Sequence, residues 1–408
     1  MPMPSDAPVS RPSRFLPLFR RTRRPPLTVH TWEWRRVTEA VSEEKQRYRI
    51  LILSAPIGGG HNAAARVLHA QLSARGHCVT IQDGFRAMSP LLCRLFQWMY
   101  PRQLKYFPLS YTVQFALSDR RFVAQAVRWF YGRFRGERLL RFIETHEPDL
   151  VISTYPLVTA ALGYLRRRGR LTRPCAAVVT DFGVHRLWVS PGVDLHLVLS
   201  LLPQPAFDEV GETVRLMKPL ASDTFAELPD RDTAREQLGL PPDVFFALVI
   251  GGAWGIGNIE RIVAHLVELG VGVLVVCGTN RQLECTLRNR YRQHPLVRVY
   301  GWTDQIPLFM AAADCLVQNA GGITCLEAML ARRPIIMYQP IAGHGKRNAW
   351  EMERAGAAYY PRSKKALAWL LATTRNGLQP LHPPFIPSEA EAAVSLILAL
   401  VAASVTQG

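Results

Sequence analysis

Three residues of this 408-residue chain, a glutamate, a histidine and an aspartate, each follow a glycine pair or a strand end, where side chains can meet a ligand. The first stands in Val317-Gln-Asn-Ala-Gly-Gly-Ile-Thr-Cys-Leu-Glu-Ala328, which is followed by Pro334-Ile-Ile-Met-Tyr-Gln-Pro340 and Gly343-His-Gly-Lys-Arg-Asn348. The pattern reads as strand, glycine turn, helix, strand, loop. The apolar run from Ala313 to Val317 suits a buried parallel strand, and Gly321 and Gly322 supply the permissive backbone to leave it. The first N–H groups of the following helix, unpaired and aligned with its dipole, favour an anion. Glu327 lies about a turn and a half further on. A diphosphate at the helix start would therefore leave this carboxylate near a ribose, whose two hydroxyls seek an acceptor. On spacing alone, a tight turn and a solvated glutamate remain the competing account.

The histidine is His61. The apolar run Tyr48–Ser54 stops at Ala55-Pro-Ile-Gly-Gly-Gly-His61, and a helical pattern runs from Ala63 to Leu72. At the helix start the positive end of the dipole disfavours imidazolium and leaves the ring able to accept a proton. The glycine run fits neither G-x-x-x-x-G-K-[ST] nor G-x-G-x-x-G, so phosphate cradle and simple cap both stay open. The aspartate is Asp181, at the end of the run Cys175–Thr180 and ahead of Phe-Gly-Val-His185 and Trp188. Sharing a sheet edge with His61, it could orient the imidazole and stabilise its protonated form; capping the turn is the alternative. Gly251-Gly-Ala-Trp-Gly-Ile-Gly257 repeats the strand, glycine loop and helix order ahead of Ile259–Leu269.

Asn319-Ala-Gly-Gly-Ile-Thr-Cys-Leu-Glu327, with Pro340, Gly343 and Asn348, resembles the donor segment of the monogalactosyldiacylglycerol synthase and processive diacylglycerol glucosyltransferase family. Val178-Val-Thr-Asp-Phe-Gly-Val-His185 with Trp188 and Asp194 is similar to a second segment of the same family. The resemblance implies a GT-B glycosyltransferase, α/β in class, with two doubly wound Rossmann-like domains facing a cleft. It implies His61 as general base supported by Asp181, with Gly59, Gly60, His185 and Trp188 on the acceptor side. On the donor side it implies Gly252, Gly255, Gly257, Trp302 beside the uracil, Gly321, Gly322, Glu327, His344 and Asn348. A UDP-hexose and a lipid, most simply diacylglycerol, are the implied substrates. No cofactor and no metal are expected, since glycine loops hold the leaving diphosphate and no cluster has metal-ligand spacing. One departure concerns the sugar. Where the family usually has Pro-Gly-Gln-Glu-x-x-Asn, this chain reads Ala342-Gly-His-Gly-Lys-Arg-Asn348. Lys346 and Arg347 could instead meet the diphosphate or an acidic sugar.

The elements that must position these residues call for two domains, because 408 residues exceed one ordinary core. The expected division is a disordered basic Pro/Arg-rich arm at 1–47, an acceptor and membrane-side domain at 48–218, and a UDP-sugar-binding domain at 219–387. Residues 388–408 then form a helix returning toward the first domain. A net charge of +17 points to an anionic partner, and the membrane surface is preferred to nucleic acid, which would leave two separate donor and acceptor motifs unexplained. Between Arg86 and Phe142 lie eleven basic residues, two acidic ones (Asp119 and Glu137) and thirteen aromatics. Phe122, Val123, Ala126, Val127, Phe130 and Phe134 recur at helical spacing with Arg121, Arg128, Arg133 and Arg135 beside them, as for a helix lying on a membrane. The longest apolar run, Ala392 to Val405, is 14 residues, short of the ~20 a span needs. With scattered cysteines and no apolar leader, the expected location is cytoplasmic, peripheral to the inner face of the cell membrane. The rivals are a same-fold transferase to a polyprenyl-diphosphate lipid, a UDP-sugar epimerase, and a basic nucleic-acid-binding protein.

Overall fold

A computed structural model describes residues 46–57, 59–378 and 381–406. The expected basic arm therefore lies outside the described residues, apart from its last two positions. Eleven strands form two all-parallel sheets. In the first, β1 (Arg49–Ser54), β2 (Cys78–Asp83), β3 (Leu150–Ser153), β4 (Cys175–Val178), β5 (Leu195–Val198) and β6 (Val214–Leu216) are ordered β2-β1-β3-β4-β5-β6. In the second, β7 (Phe246–Ile250), β8 (Gly272–Val276), β9 (Val297–Tyr300), β10 (Cys315–Gln318) and β11 (Ile335–Met337) are ordered β11-β10-β7-β8-β9. A parallel sheet covered by helices on both faces buries every side chain, which is why Ile50-Leu51-Ile52-Leu53 is apolar without alternation.

Each order reverses at one point, between β1 and β3 in the first sheet and between β7 and β10 in the second. There the loops after neighbouring strands diverge and leave a crevice at the carboxyl edge. His61 follows β1, and Gly321 follows β10, so both stand at such a crevice.

The expected boundary after residue 218 falls just beyond a strand: Val214–Leu216 pairs with β5 as the edge of the first sheet. The tail returns to this edge. Lys218 donates its backbone N–H to the Glu391 carbonyl at 2.7 Å, and Glu391 donates to that of Leu216 at 3.2 Å. This extended pairing delays the last helix, expected over 388–408, until Ala393; it runs to Thr406 and packs against Gly60–Ala74 and β5.

Between β2 and β3, after the short helix Gly84–Met88, the chain inserts three longer helices, Pro90–Tyr106, Pro108–Ser118 and Arg121–Glu144. Prolines at the first helical position start the first two. Pro108–Ser118 buries none of its residues. Leu91, Leu95, Trp98, Phe107, Leu109, Val113, Phe122, Trp129, Phe130 and Phe134 are all exposed on this layer. Arg128, expected on the polar face of the third helix, is instead buried and ion-paired with Glu209. Its place on the helix aligns with Ala124 and Tyr131, the inward stripe, rather than with the outward Phe122, Phe130 and Phe134. No helix among the described residues is long and apolar enough to cross a membrane.

Candidate active site

The two sheets face each other across a cavity of about 530 Å³, and the glycine loops of both domains meet in its wall. A Cβ on Gly59 would lie 2.7 Å from that of Ala253, so the first-domain loop can approach the Gly251–Gly257 loop only as glycine. Three helices begin at the cavity: Gly60–Ala74, Ile323–Leu330 and His344–Arg354. None has a side-chain cap, which leaves their first N–H groups to be satisfied by something else.

His61 stands between two rings, edge-on to Tyr155 at 5.2 Å and tilted against Trp188 at 5.3 Å. Its Nδ1 is buried with no partner. Burial pushes the imidazole below its ordinary proton affinity, and the Asp181 carboxylate pulls it partly back. The expected contact between the two is replaced by action through space. Asp181 Oδ2 accepts from Trp188 Nε1 at 3.2 Å and Oδ1 accepts from Asn348 Nδ2 at 2.9 Å. The two aromatic rings and a hydrogen bond to the Thr154 backbone, rather than contact with Asp181, therefore hold the imidazole.

On the opposite wall, Gly252, Gly321, Gly322, Glu327, His344 and the largely exposed Trp302 line the cavity, as expected of donor residues. Gly322 caps the Ile323–Leu330 helix at φ +71°, a conformation glycine adopts freely. Among the described residues Glu327 has no hydrogen-bond partner or counter-ion, and burial pushes its carboxyl up to about 7. His344, at the first position of its helix, has Nδ1 at 3.2 Å from the Tyr111 hydroxyl and its ring stacked 6.5 Å from Tyr100. Burial lowers its proton affinity too, so His61 and His344 both favour the neutral form.

Four expected site residues play other parts. His185 is buried and saturated: Leu187 N–H donates to Nδ1 at 3.1 Å, which leaves Nε2 to carry the proton and donate to the Phe115 carbonyl at 3.1 Å. With no free lone pair, it serves as a packing post under Phe115 and cannot act as the base. Gly255 and Gly257 lie behind the wall, where their missing Cβ atoms make room for the Cys277 carbonyl and the Asn319 amide. Asn348 is buried and faces the first domain instead of the cavity. The cations suggested for the diphosphate are also elsewhere: Arg347 pairs with Asp119 at 2.7 Å and Lys346 is exposed outside the cavity.

Sequence reasoning missed the mouth of the cavity. Phe96, Met99, Tyr100, Gln103, Tyr111 and Phe115 come from the inserted helices, and Tyr100 also meets Trp254 of the second-domain loop at 6.0 Å. Aromatic enrichment between 86 and 142 was the only signal, and it does not separate inward rings from outward ones.

Two parallel α/β domains joined across a cavity with uncapped helix starts on both walls define a GT-B glycosyltransferase. The fold is similar to that of MurG from Acinetobacter baumannii (TM-score 0.53, 15% identity, 87% of this chain and 98% of that one). It is equally similar to the glycosyltransferase SnogD from Streptomyces nogalater (TM-score 0.53, 18% identity, 88% of this chain and 100% of that one). Residues 61–202 match the family described as monogalactosyldiacylglycerol (MGDG) synthase, and residues 246–398 match the glycosyltransferase family 28 C-terminal domain. Processive diacylglycerol beta-glucosyltransferases of Bacillus licheniformis and Bacillus subtilis are 29% and 28% identical, each over 76% of this chain and 82% of the relative. The chain thus carries a segment of the monogalactosyldiacylglycerol synthase type followed by a glycosyltransferase family 28 C-terminal segment, and is similar to diacylglycerol glucosyltransferases.

Proposed function

We propose that this protein transfers a hexosyl group from a UDP-sugar to the hydroxyl of a membrane lipid, diacylglycerol in the simplest case. The observation that carries the reading is the contrast between the cavity's two walls. One presents glycine loops and the uncapped Ile323–Leu330 helix start, suited to a diphosphate. The other presents His61 beneath a mouth built from Phe96, Met99, Tyr100, Leu104, Tyr111 and Phe115, suited to a glycerolipid.

In this reading the lipid oxygen bonds to the anomeric carbon as the bond from that carbon to the β-phosphate breaks, and UDP leaves with the electron pair. The hydroxyl proton passes to His61, and Asp181 stabilises the imidazolium that forms. The N–H groups at the Ile323–Leu330 helix start meet the charge that grows on the leaving diphosphate. Glu327 accepts from the ribose hydroxyls.

The same inserted helices that build the mouth carry exposed apolar side chains outward, with Arg94, Arg102, Lys105, Arg120 and Arg121 exposed among them. Such a layer would seat the mouth on an anionic bilayer. Every side chain of Pro90–Tyr106 and Pro108–Ser118 that lines the cavity is uncharged. This favours a neutral acceptor over a polyprenyl diphosphate, whose two phosphates would meet tyrosine and phenylalanine with Arg66 as the one lysine or arginine lining the cavity among the described residues. An epimerase would need the donor wall alone and would leave the mouth without a role.

The test is UDP release with purified protein, crossing UDP-glucose, UDP-galactose and UDP-N-acetylglucosamine with diacylglycerol and a polyprenyl-diphosphate lipid in mixed micelles. Release that depends on diacylglycerol is expected. Release only with the polyprenyl lipid would reassign the acceptor, and none with any pair would overturn the transferase reading.

A further inference from the structure

Asn348 ties the donor loop to the acceptor machinery. It is 1% exposed and belongs to the His344–Arg354 helix of the second domain. Its amide group donates to the Ala320 carbonyl at 3.0 Å, immediately before the Gly321-Gly322 turn. It also donates to Asp181 Oδ1 at 2.9 Å and accepts from the Gly183 N–H at 2.9 Å, both in the first domain. Only a carboxamide offers two donors and an acceptor on so short a stem. The surroundings leave no slack: a Cβ on Gly321, at φ +91°, would lie 2.7 Å from Asn348 Nδ2, and one on Gly183 would lie 2.3 Å from Arg347 Cγ.

Resting on the reading of His61 as base, we infer that Asn348 is a positioning residue which makes acceptor activation conditional on the donor domain being closed onto the first. Asp181 has two hydrogen-bond donors. Trp188 belongs to its own domain and stays with it, whereas Asn348 arrives with the donor loop. When the domains part, Oδ1 and the Gly183 N–H lose their partner together, and the carboxylate that stabilises the imidazolium is free to turn toward water. A closed, donor-loaded enzyme thus has its base supported, and an open one does not.

Replacement by aspartate gives the argument a signature. The introduced carboxylate would face Asp181, and two carboxylates at hydrogen-bond distance hold one proton between them at low pH and repel at high pH. The other titratable groups that interact with Asp181 are His61, His344, Tyr100, Tyr111 and Cys325. Burial pushes the tyrosines and the cysteine up and both histidines down; these shifts are common to wild type and variant and divide out of the ratio between them.

The experiment measures kcat for UDP release from pH 5.5 to 8.5 for wild type, Asn348→Asp, Asn348→Ser, His61→Ala and the Asn348→Ser/His61→Ala double variant, with UDP affinity by calorimetry. Asn348→Asp, as a ratio to wild type, is expected to be most active at the acid end and to fall at least tenfold toward pH 8.5. Asn348→Ser is expected to lower kcat by about 10- to 100-fold, the range for losing a hydrogen bond to a charged group. UDP affinity should stay within threefold. In the His61→Ala background the serine change should cost less than threefold more, because Asp181 has nothing left to act through. A pH-independent Asn348→Asp ratio, or full additivity in the double variant, overturns the proposal while leaving the base reading intact. Should Asn348→Asp not fold, the additivity test alone decides. Wild-type turnover surviving His61→Ala overturns the base reading and this proposal with it.

Discussion

Replacing Glu327 by glutamine should move stability and donor affinity in opposite directions. The carboxyl is pushed up to about 7 from an ordinary value of 4.5, by burial and without a compensating partner. A raised carboxyl means that the folded state holds the proton more tightly than the unfolded one. The neutral form therefore costs nothing extra below about pH 4.5. The penalty for the buried charge grows through the window between about 4.5 and 7 and stays constant above it, on the order of 3 kcal/mol. Glutamine removes the charge but must still bury an amide, so roughly half of that should return as stability, about 3–6 °C in the melting temperature at pH 8. Near pH 4.5 the variant and wild type should melt together. Binding responds the other way. Two ribose hydroxyls that donate to a carboxylate contribute about 1.5–3 kcal/mol, so Glu327→Gln should weaken UDP-glucose or UDP-galactose by roughly 10- to 150-fold at pH 8. Wild-type affinity should itself fall below pH 7, by up to about tenfold per unit, because the bound form needs the ionised carboxyl. A UDP-sugar diphosphate is a diester with no ionisation in that range, so the slope belongs to the protein. Differential scanning fluorimetry and titration calorimetry at matched pH read both effects. Equal melting at pH 8 would mean that the charge has a partner. An unchanged UDP-sugar affinity in a variant that melts higher would put the ribose elsewhere.

His61→Ala should reduce transfer by about 10²–10⁴-fold while calorimetric UDP affinity stays within twofold, since the donor wall belongs to the other domain; near-normal turnover would place the base elsewhere. His185→Phe should lower the melting temperature, because three hydrogen bonds under Phe115 are lost, with kcat per folded molecule within threefold of wild type. A loss above a hundredfold in folded protein would reinstate His185 as a chemical group. Liposome co-sedimentation should rise with phosphatidylglycerol content and fall with salt. The pair Leu109→Asp and Phe122→Asp should abolish it while leaving UDP affinity unchanged. Equal binding of wild type to neutral and anionic vesicles would remove the electrostatic part of this reading.

Much of the molecule was legible along the chain because its signals are local. A run such as Ile50–Leu53 or Val273–Val276 buries both faces in a parallel strand wherever the strand sits in its sheet, and a glycine turn followed by a helical pattern marks a crevice wall. His61, Asp181, Gly321, Gly322 and Glu327 could be named from such positions, together with a family likeness carried by short motifs. What the chain could not reveal depends on approach across the cleft. Asn348 reads as one more polar residue after a loop, and only the closed arrangement shows its amide shared among Ala320, Asp181 and Gly183. His185 follows a glycine and a valine much as a catalytic histidine would, and only the folded chain shows both nitrogens in use, Nδ1 by the Leu187 N–H and Nε2 by Phe115 and Ser118. The rings between 86 and 142 divide in the same way: Tyr100 and Tyr111 turn into the cavity while Phe107 and Leu109 face solvent. Periodicity records that a helix has faces; which face meets the other domain is decided by where the inserted helices reach the Trp254 loop and His344, more than a hundred residues away.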